Sequence, residues 1–154
     1  MEIKNIFNVF ISMHKGYIKW NIYELMKTTL LALSFNECEG IKVILPQISR
    51  EVIDEILIVD GGSTDGTIEW ARDSGYKVIV QKKPGLGSAY LEGLAEAKGE
   101  LIITFSPDGN SMPEVLPDLI KKIEEGYDVV TVSRYLDWAK SLDDDPVTAF
   151  GNWL

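Results

Sequence analysis

Acidic side chains follow three apolar runs of this sequence, each at the point where its run ends. Glu37 follows the first run, Asp60 closes the second and Asp108 follows the third. Short apolar runs that stop at polar and glycine residues are typical of buried parallel strands. Because ligands of open α/β sheets bind outside the carboxyl ends of such strands, we expect these loops to share one edge. Together they would make a site for a metal ion and a polyphosphate.

Ser106, Asp108 and Asn110 alternate in the loop that follows the third run. Oxygen ligands at alternate positions can converge on one hard cation, such as Mg²⁺ or Mn²⁺. Ser-Pro-Asp-Gly is also ideal for a type I turn, and for this segment alone the turn is the better interpretation. Taken with the other two acidic loops, the segment predicts that Asp108 meets a metal ion or a diphosphate.

Asp60 is predicted to contact a nucleotide. The two glycines that follow it let the backbone turn sharply and let a flat ligand come close. A carboxylate at this point can accept a hydrogen bond from a base or a ribose. The same segment offers helix caps in Ser63, Thr64 and Asp65, and the two roles are compatible. Glu37 is predicted either to cap a helix or to face the nucleotide.

Two further segments carry positive charge near predicted strand ends. Lys82 and Lys83 lead into a predicted helix, where lysine side chains and free backbone N–H groups suit phosphate. The Gly85/Gly87 pair lacks the third glycine of a dinucleotide fingerprint, so solvated lysines are an equally good interpretation. Arg134 could bind a phosphate bidentately or form a surface ion pair.

Apolar runs alternate with segments of helical spacing, which predicts βαβ units and an α/β fold with a mostly parallel sheet. Pro113 suits the first turn of the last helix, which Gly126 ends. The predicted strands are Thr28–Phe35, Glu55–Val59, Lys77–Gln81, Leu101–Phe105 and Asp128–Ser133, and the predicted helices are Glu39–Ile48, a helix capped by Asp65 that runs to Ser74, Leu86–Lys98 and a helix from Pro113.

The bulk composition excludes several classes of protein. The net charge of −9 repels nucleic acid and free nucleotides, so an anionic substrate would need a local divalent cation. One cysteine rules out an internal disulfide and a cysteine zinc cluster. One histidine makes histidine-based triads and metal sites poor candidates. No apolar stretch reaches the roughly 18 residues of a membrane span.

Residues 1–25 are predicted to be an extension outside the core fold. One interpretation is an amphipathic helix that lies on a membrane surface or on a neighbouring chain. The other, slightly favoured, is a loosely ordered tail. The amphipathic-helix interpretation would fit a cytoplasmic protein that binds peripherally at the inner face of a membrane. The apolar residues that suggest the helix are Ile3, Ile6, Phe7, Val9, Phe10 and Ile11.

These segments resemble family 2 glycosyltransferases of the GT-A fold, and most of all the polyprenyl- and dolichyl-phosphate sugar transferases. The resemblance covers residues 26–135 and implies a GT-A-like, Rossmann-like nucleotide-sugar-binding half. Ser34-Phe35-Asn36-Glu37 resembles the family's opening nucleotide contact. The segment from Val59 to Thr67 resembles its base-binding loop, which implies nucleotide contacts for Asp60 and Gly62.

The remaining motifs imply further site residues. Ser106-Pro107-Asp108 stands in the place of the family's Asp-x-Asp motif, which implies a catalytic, metal-binding role for Asp108. Asn110 matches a position where lipid-phosphate sugar transferases often place a metal ligand. Lys83 and Gly87 are expected at the nucleotide, and Arg134 at the acceptor phosphate.

Two departures from the family pattern bear on activity. Ser106 replaces the first aspartate, so one metal charge is missing. Residues 136–154 would be the start of an acceptor region that is incomplete, with no later Gln-x-x-Arg-Trp block. The chain would then be an N-terminal part of a longer enzyme or a truncated relative, with a sheet that stops after the fifth strand.

The resemblance implies transfer of a sugar from a nucleoside diphosphate sugar to an acceptor, such as a polyprenyl phosphate, with Mg²⁺ or Mn²⁺. This reaction belongs to cell-envelope glycan synthesis. The alternative is a protein that binds nucleotide sugar, a second copy or a partner subunit without turnover, and no nucleic acid is expected. A nucleotidyltransferase is less well supported, since its first loop is usually glycine-rich and basic, whereas this one begins Asn36-Glu37.

Overall fold

A parallel sheet of four strands forms the centre of the computed structural model, which describes residues 26–109 and 111–132. The strands lie in the order β3-β2-β1-β4, and each neighbouring pair is parallel. The two central strands are buried along almost their whole length, which explains why they are nearly continuous apolar runs. The strands are β1 (Thr28–Ser34), β2 (Glu55–Asp60), β3 (Lys77–Val80) and β4 (Leu101–Phe105).

Four helices connect or follow these strands. The predicted helix Glu39–Ile48 is shorter than expected: the α-helix ends at Ile44, and a 3₁₀ turn follows because Pro46 cannot donate a backbone hydrogen bond. The last helix likewise opens with a 3₁₀ turn, Pro113–Val115. The helices are α1 (Cys38–Ile44), α2 (Thr67–Asp73), α3 (Leu86–Glu96) and α4 (Leu116–Glu124).

The fifth strand, expected over Asp128–Ser133, is not found in the part of that range that the structure describes. Residues 128–132 belong to no strand, and the side chains of Val129 and Val132 are exposed. A strand needs a neighbour that takes its N–H and C=O groups. Within the described residues β4 pairs with β1 only, so an apolar stretch alone was insufficient evidence for a strand.

The core has two layers, one on each face of the sheet. Alternate residues of β1 show the division: Leu30 packs with the layer that includes α1, α2 and α4, and Leu31 packs with α3. Gly93 of α3 lets that helix lie close to the sheet, because a Cβ atom there would stand 2.5 Å from Leu31 Cδ1. Both faces of the central strands are therefore covered.

The parallel order brings the loops that follow all four strands to one edge, which we call the carboxyl edge. Ser34 and Asp60 are paired in the register, so β1 and β2 end level with one another. The chain places β2 and β3 on one side of β1 and β4 on the other. Such a reversal of strand order opens a crevice between the loops after β1 and β4, where ligands bind in open α/β sheets.

Candidate functional site

Asp60 ends β2 with its side chain wholly buried. One carboxylate oxygen, Oδ1, accepts hydrogen bonds from the backbone N–H groups of Gly62 at 2.8 Å and Ser63 at 2.6 Å. The other, Oδ2, accepts from the hydroxyls of Ser34 at 2.9 Å and Ser63 at 2.7 Å. A buried carboxylate is stable only when it is hydrogen-bonded in this way. Its predicted contact with a base stays a prediction, and it would require one of these donors to move.

Asn36 joins the loop after β1 to the loop after β2. Its backbone N–H donates to Ser63 Oγ at 2.8 Å, and its side-chain oxygen accepts from the Thr64 N–H at 3.0 Å. The φ of Asn36 is 55°, a left-handed conformation that asparagine tolerates better than most residues. The contacts of Ser63 with both Asp60 and Asn36 therefore hold the two loops as one unit.

Asp65 ties the same two loops together at a second point. Its Oδ2 atom accepts from the Cys38 N–H at 3.0 Å, while Thr67 Oγ1 accepts from the Glu37 N–H at 3.1 Å. The hydrogen bond from the Thr67 hydroxyl is the main cause that holds the pKa of Asp65 below its usual value. The N-cap residue of α2 is Gly66 rather than the predicted Asp65. The sequence analysis did not predict the hydrogen bond that Asp65 accepts from α1, because α1 and Asp65 are far apart in the chain.

Phe35 presents an aromatic ring at the carboxyl edge, and 60% of the residue is exposed. The ring lies against Gly61, where a Cβ atom would stand 2.9 Å from Phe35 Cδ2. Because position 61 has no side chain, the ring lies against the backbone of the loop after β2. Glu37, which is half-buried, occupies the N-cap position of α1, but its side chain makes no capping hydrogen bond. Its contact with a nucleotide stays a prediction.

Glu92 of α3 occupies the backbone groups that were expected to be free for phosphate. Its carboxylate accepts from the N–H groups of Lys82, at 2.8 and 3.0 Å, and of Lys83, at 3.1 Å. The N–H groups of Lys82 and Lys83 are therefore not free for phosphate, and the predicted phosphate contact of this segment stays a prediction. The hydrogen bond from Lys82 is the main cause that lowers the pKa of Glu92. Lys82 and Lys83 remain exposed beside the exposed Gly87 in the first turn of α3.

Asp108 lies in the loop after β4 with its side chain exposed, and Ser106 Oγ donates to its Oδ2 atom at 3.0 Å. Between them the side chain of Pro107 is buried, which fixes the loop to the core. The described residues hold no group of three His, Cys, Asp or Glu side chains that could ligate a metal. One carboxylate and one hydroxyl fit a hard cation that takes its remaining ligands from water and substrate phosphates. Asn110 and Arg134 lie outside the described residues.

Two cavities among the described residues lie away from these loops. One of about 410 Å³ is at the opposite edge of the sheet, between the start of β1 and α4, with Lys27, Asp54, Ile120 and Ile123 in its lining. Phe35 and Asp108 are both exposed at the carboxyl edge. None of the described helices has the length and apolar character needed to cross a bilayer.

Sequence comparison relates the chain to known proteins. The family model for glycosyl transferase family 2 matches residues 33–150. A dolichol-phosphate mannosyltransferase of Pyrococcus furiosus is 32% identical over 123 residues, which are 75% of this chain and 35% of that protein. Glycosyltransferase AglJ of Haloferax volcanii is 32% identical over 109 residues, 70% of this chain and 36% of that protein. The chain thus spans about a third of the length of these relatives.

Structure comparison gives the same result. Glucosyl-3-phosphoglycerate synthase from Mycobacterium tuberculosis, crystallised with Mn²⁺ and UDP-glucose, is similar with a TM-score of 0.62 and 25% identity over 74% of this chain and 46% of that one. The same enzyme with Mn²⁺, UDP and phosphoglyceric acid has a TM-score of 0.62 and 26% identity over 69% of this chain and 42% of that one. The expected GT-A-like α/β fold is confirmed. The chain belongs to glycosyl transferase family 2.

Proposed function

We propose that this chain forms the nucleotide-sugar-binding half of a glycosyltransferase that uses a divalent metal ion, with a polyprenyl phosphate as its acceptor. The observation that carries the proposal is the sheet order, which gathers the loops of Phe35, Asp60 and Asp108 at one edge. The names of the related proteins support both the use of a nucleotide sugar with a metal ion and the phosphate acceptor. The solved structures bind UDP or UDP-glucose with Mn²⁺, and one curated relative is a dolichol-phosphate mannosyltransferase.

The base would lie on the side of β1 and β2. The exposed ring of Phe35, seated against Gly61, offers a flat apolar surface of the kind on which a base stacks. The loop with Gly62 and Ser63 is held by the Asp60 carboxylate, so its shape is set before a nucleotide arrives. A preformed loop lowers the entropy lost on binding.

The diphosphate would lie between Asp108 and the lysines at positions 82 and 83. When bound, a divalent cation would neutralise the leaving diphosphate, which is electrostatic stabilisation of the transition state. Asp108 and Ser106, joined by a hydrogen bond, are the described oxygen donors of this loop, and we propose Asn110 as a third ligand. The exposed Lys82 and Lys83 side chains add positive charge, which a chain of net charge −9 needs locally.

A phosphate acceptor would explain how the reaction proceeds without a histidine among the described residues. A polyprenyl phosphate is already ionised at neutral pH, so its oxygen can attack without a strong general base. The single histidine of the sequence, His14, is far in the chain from all of the acidic loops. We propose that Arg134 meets the acceptor phosphate through two parallel hydrogen bonds.

Nucleotide binding is the first test. The 154-residue chain is titrated with UDP and with GDP, each in the presence and absence of Mn²⁺, while the melting temperature is followed. We expect one nucleotide to raise the melting temperature with Mn²⁺ and to have a much smaller effect without it. No shift with either nucleotide would overturn the proposal. A transfer assay with the matching nucleotide sugar and a polyprenyl phosphate then tests turnover.

The second candidate function is nucleotide-sugar binding without turnover. The observation in its favour is Ser106, a hydroxyl where the family motif places a carboxylate. One charge fewer weakens the cation site and hence the stabilisation of the leaving group. Metal-dependent nucleotide binding together with no sugar transfer would favour this second function.

A further inference from the structure

Helix α1 and the loop after β4 touch each other at Gly40. A Cβ atom built at this glycine would stand 2.4 Å from the carbonyl oxygen of Pro107. It would also stand 3.2 Å from the carbonyl carbon and 3.3 Å from the Cα atom of Asp108. All of these neighbours are backbone atoms, so no side chain could rotate away to make room. Any residue with a side chain at position 40 would push the helix and the loop apart.

The backbone conformation does not explain why residue 40 is a glycine. Gly40 is the third residue of α1 and is not among the glycines with positive φ. Within a helix, glycine is less favourable than alanine, because it loses more backbone freedom on folding. The helix would therefore be more stable with alanine if space allowed it. The close approach of Pro107 and Asp108 is the feature that requires glycine.

Both partners of this contact are fixed from other directions. The first turn of α1 is held by the bonds of Glu37 and Cys38 to the loop after β2, and Ile41 is wholly buried. On the other side, the buried Pro107 side chain fixes the loop. The contact lies between the loops after β1 and β4, where the strand order reverses. Neither element can yield without loss of packing elsewhere.

We propose that Gly40 is a positioning residue for the metal and diphosphate site, because its missing side chain sets where the Asp108 backbone lies against α1. The inference rests on the proposed function of Asp108. A site that binds a metal and a diphosphate must hold its ligands to within about 0.5 Å of the required geometry. A methyl group at position 40 would displace the loop that carries Asp108.

The test is Gly40→Ala in the 154-residue chain, with UDP or GDP binding measured by calorimetry at several Mn²⁺ concentrations. We expect Mn²⁺-dependent affinity to fall by about 10-fold to 100-fold, as for other misplaced site groups. Without metal or nucleotide, the amide NMR signals of Asp108 and Gly109 should shift. Glu39→Ala is the matched control, because the Glu39 side chain on the same helix is 95% exposed, and it should leave binding unchanged.

Binding without metal separates positioning from general destabilisation. If Gly40 acts through the loop of Asp108, Gly40→Ala should leave the weaker nucleotide affinity measured without Mn²⁺ unchanged and lower only the affinity that Mn²⁺ adds. An equal loss of affinity with and without Mn²⁺ would overturn the inference. If Gly40→Ala does not fold, the wild-type chain supplies the test: Mn²⁺ with nucleotide should broaden the amide signal of Gly40 before that of Asp54, at the opposite edge. Equal broadening would overturn it.

The outcomes also distinguish this inference from the proposed function. If the wild-type chain shows no Mn²⁺-dependent binding of either nucleotide, the proposed function fails and the inference falls with it. If the wild type binds and Gly40→Ala binds equally well, the inference alone is overturned. Weaker metal-dependent binding with an unchanged Glu39→Ala control supports both.

Discussion

Asp60 and Asp108 are both carboxylates at the carboxyl edge, but their surroundings give them different roles. Asp60 is wholly buried, and its two oxygens accept hydrogen bonds from the backbone and hydroxyl groups of its own loop and of Ser34. Asp108 is exposed, and the hydroxyl of Ser106 donates a hydrogen bond to it. Asp60 therefore shapes the loop on which a base would lie, while Asp108 is placed to meet a ligand from solvent.

Replacement of Asp60 by asparagine tests the shaping role. Asp60→Asn keeps the size of the side chain but puts an amide NH₂, which cannot accept, where one carboxylate oxygen was. The N–H groups of Gly62 and Ser63 are fixed, so the amide oxygen would face them and the NH₂ group would face the Ser34 and Ser63 hydroxyls, whose protons then lose their acceptor. We expect the free energy of unfolding in urea to fall by about 1–3 kcal/mol, the cost of an unmatched buried polar group.

We also expect Asp60→Asn to weaken UDP or GDP binding, because the loop loses its fixed shape. Calorimetry on the folded variant measures this second effect. Unchanged stability would show that the hydrogen bonds around Asp60 contribute little to the fold. A loss of stability with unchanged nucleotide affinity would limit Asp60 to a purely structural role.

Replacement of Asp108 tests the metal site. Asp108→Ala removes the one described carboxylate of the loop, so Mn²⁺-dependent nucleotide binding should be abolished. Ser106→Asp should strengthen that binding, because it adds a charged oxygen to a position whose hydroxyl is already 3.0 Å from the Asp108 carboxylate. Calorimetry with metal present is the measurement. Equal nucleotide affinity in the wild type and Asp108→Ala would contradict this prediction.

The elements of the fold differ in how they are fixed. α1 is held through its backbone N–H groups by Asp65 and Thr67, whereas α3 holds the loop before it through the Glu92 side chain. Both arrangements place a side-chain oxygen at backbone donors that would otherwise face water or a ligand. The helices thus position the site loops as well as covering the sheet.

The Glu92 contact should make the loop of Lys82 and Lys83 sensitive to acid. The folded state depresses the pKa of Glu92 below its ordinary value of 4.5, since the charged form accepts backbone hydrogen bonds. Its contribution is therefore present above the unfolded pKa and is lost as pH falls through the lower folded pKa. We expect the amides of Lys82 and Lys83, each rate taken relative to its intrinsic rate, to be protected from hydrogen exchange at neutral pH and to lose this protection in acid below the ordinary Glu92 pKa, while the β1 amides keep theirs.

Glu92→Gln is the matched variant for this effect. It keeps the side-chain length but removes the charge, so exchange at Lys82 and Lys83 should be faster than in the wild type at neutral pH. The difference between the two proteins should disappear in acid. A wild-type protein whose Lys82 and Lys83 amides are equally protected, relative to their intrinsic exchange rates, at both pH values would contradict the role assigned to Glu92.

At the scale of the whole molecule, local patterns were enough to predict the four strands of the described sheet and the edge at which the loops after them meet. The apolar runs that end at Ser34, Asp60 and Phe105 are the strands β1, β2 and β4. They could be predicted because a strand that is buried on both faces is apolar at nearly every position. The partners of Asp65 and Glu92 left no such signal. Each joins a side chain to a backbone N–H of another element, and sequence spacing carries no record of that contact. The expected strand over Asp128–Ser133 failed for the same reason, since pairing is a property of two segments.

The division of the chain into an extension and a core is the last prediction. The start of the described region is held within the sheet: the Lys27 N–H donates to Glu100, and the Thr28 N–H donates to Asp54 at 2.7 Å. The described sheet thus has its own hydrogen bonds from residue 27 onward, so we expect a chain that begins at Met26 to keep the melting temperature and nucleotide binding of the 154-residue chain. Thermal unfolding and calorimetry on both chains provide the comparison. An insoluble or unfolded shorter chain beside a folded longer one would place residues 1–25 in the core and move the domain boundary.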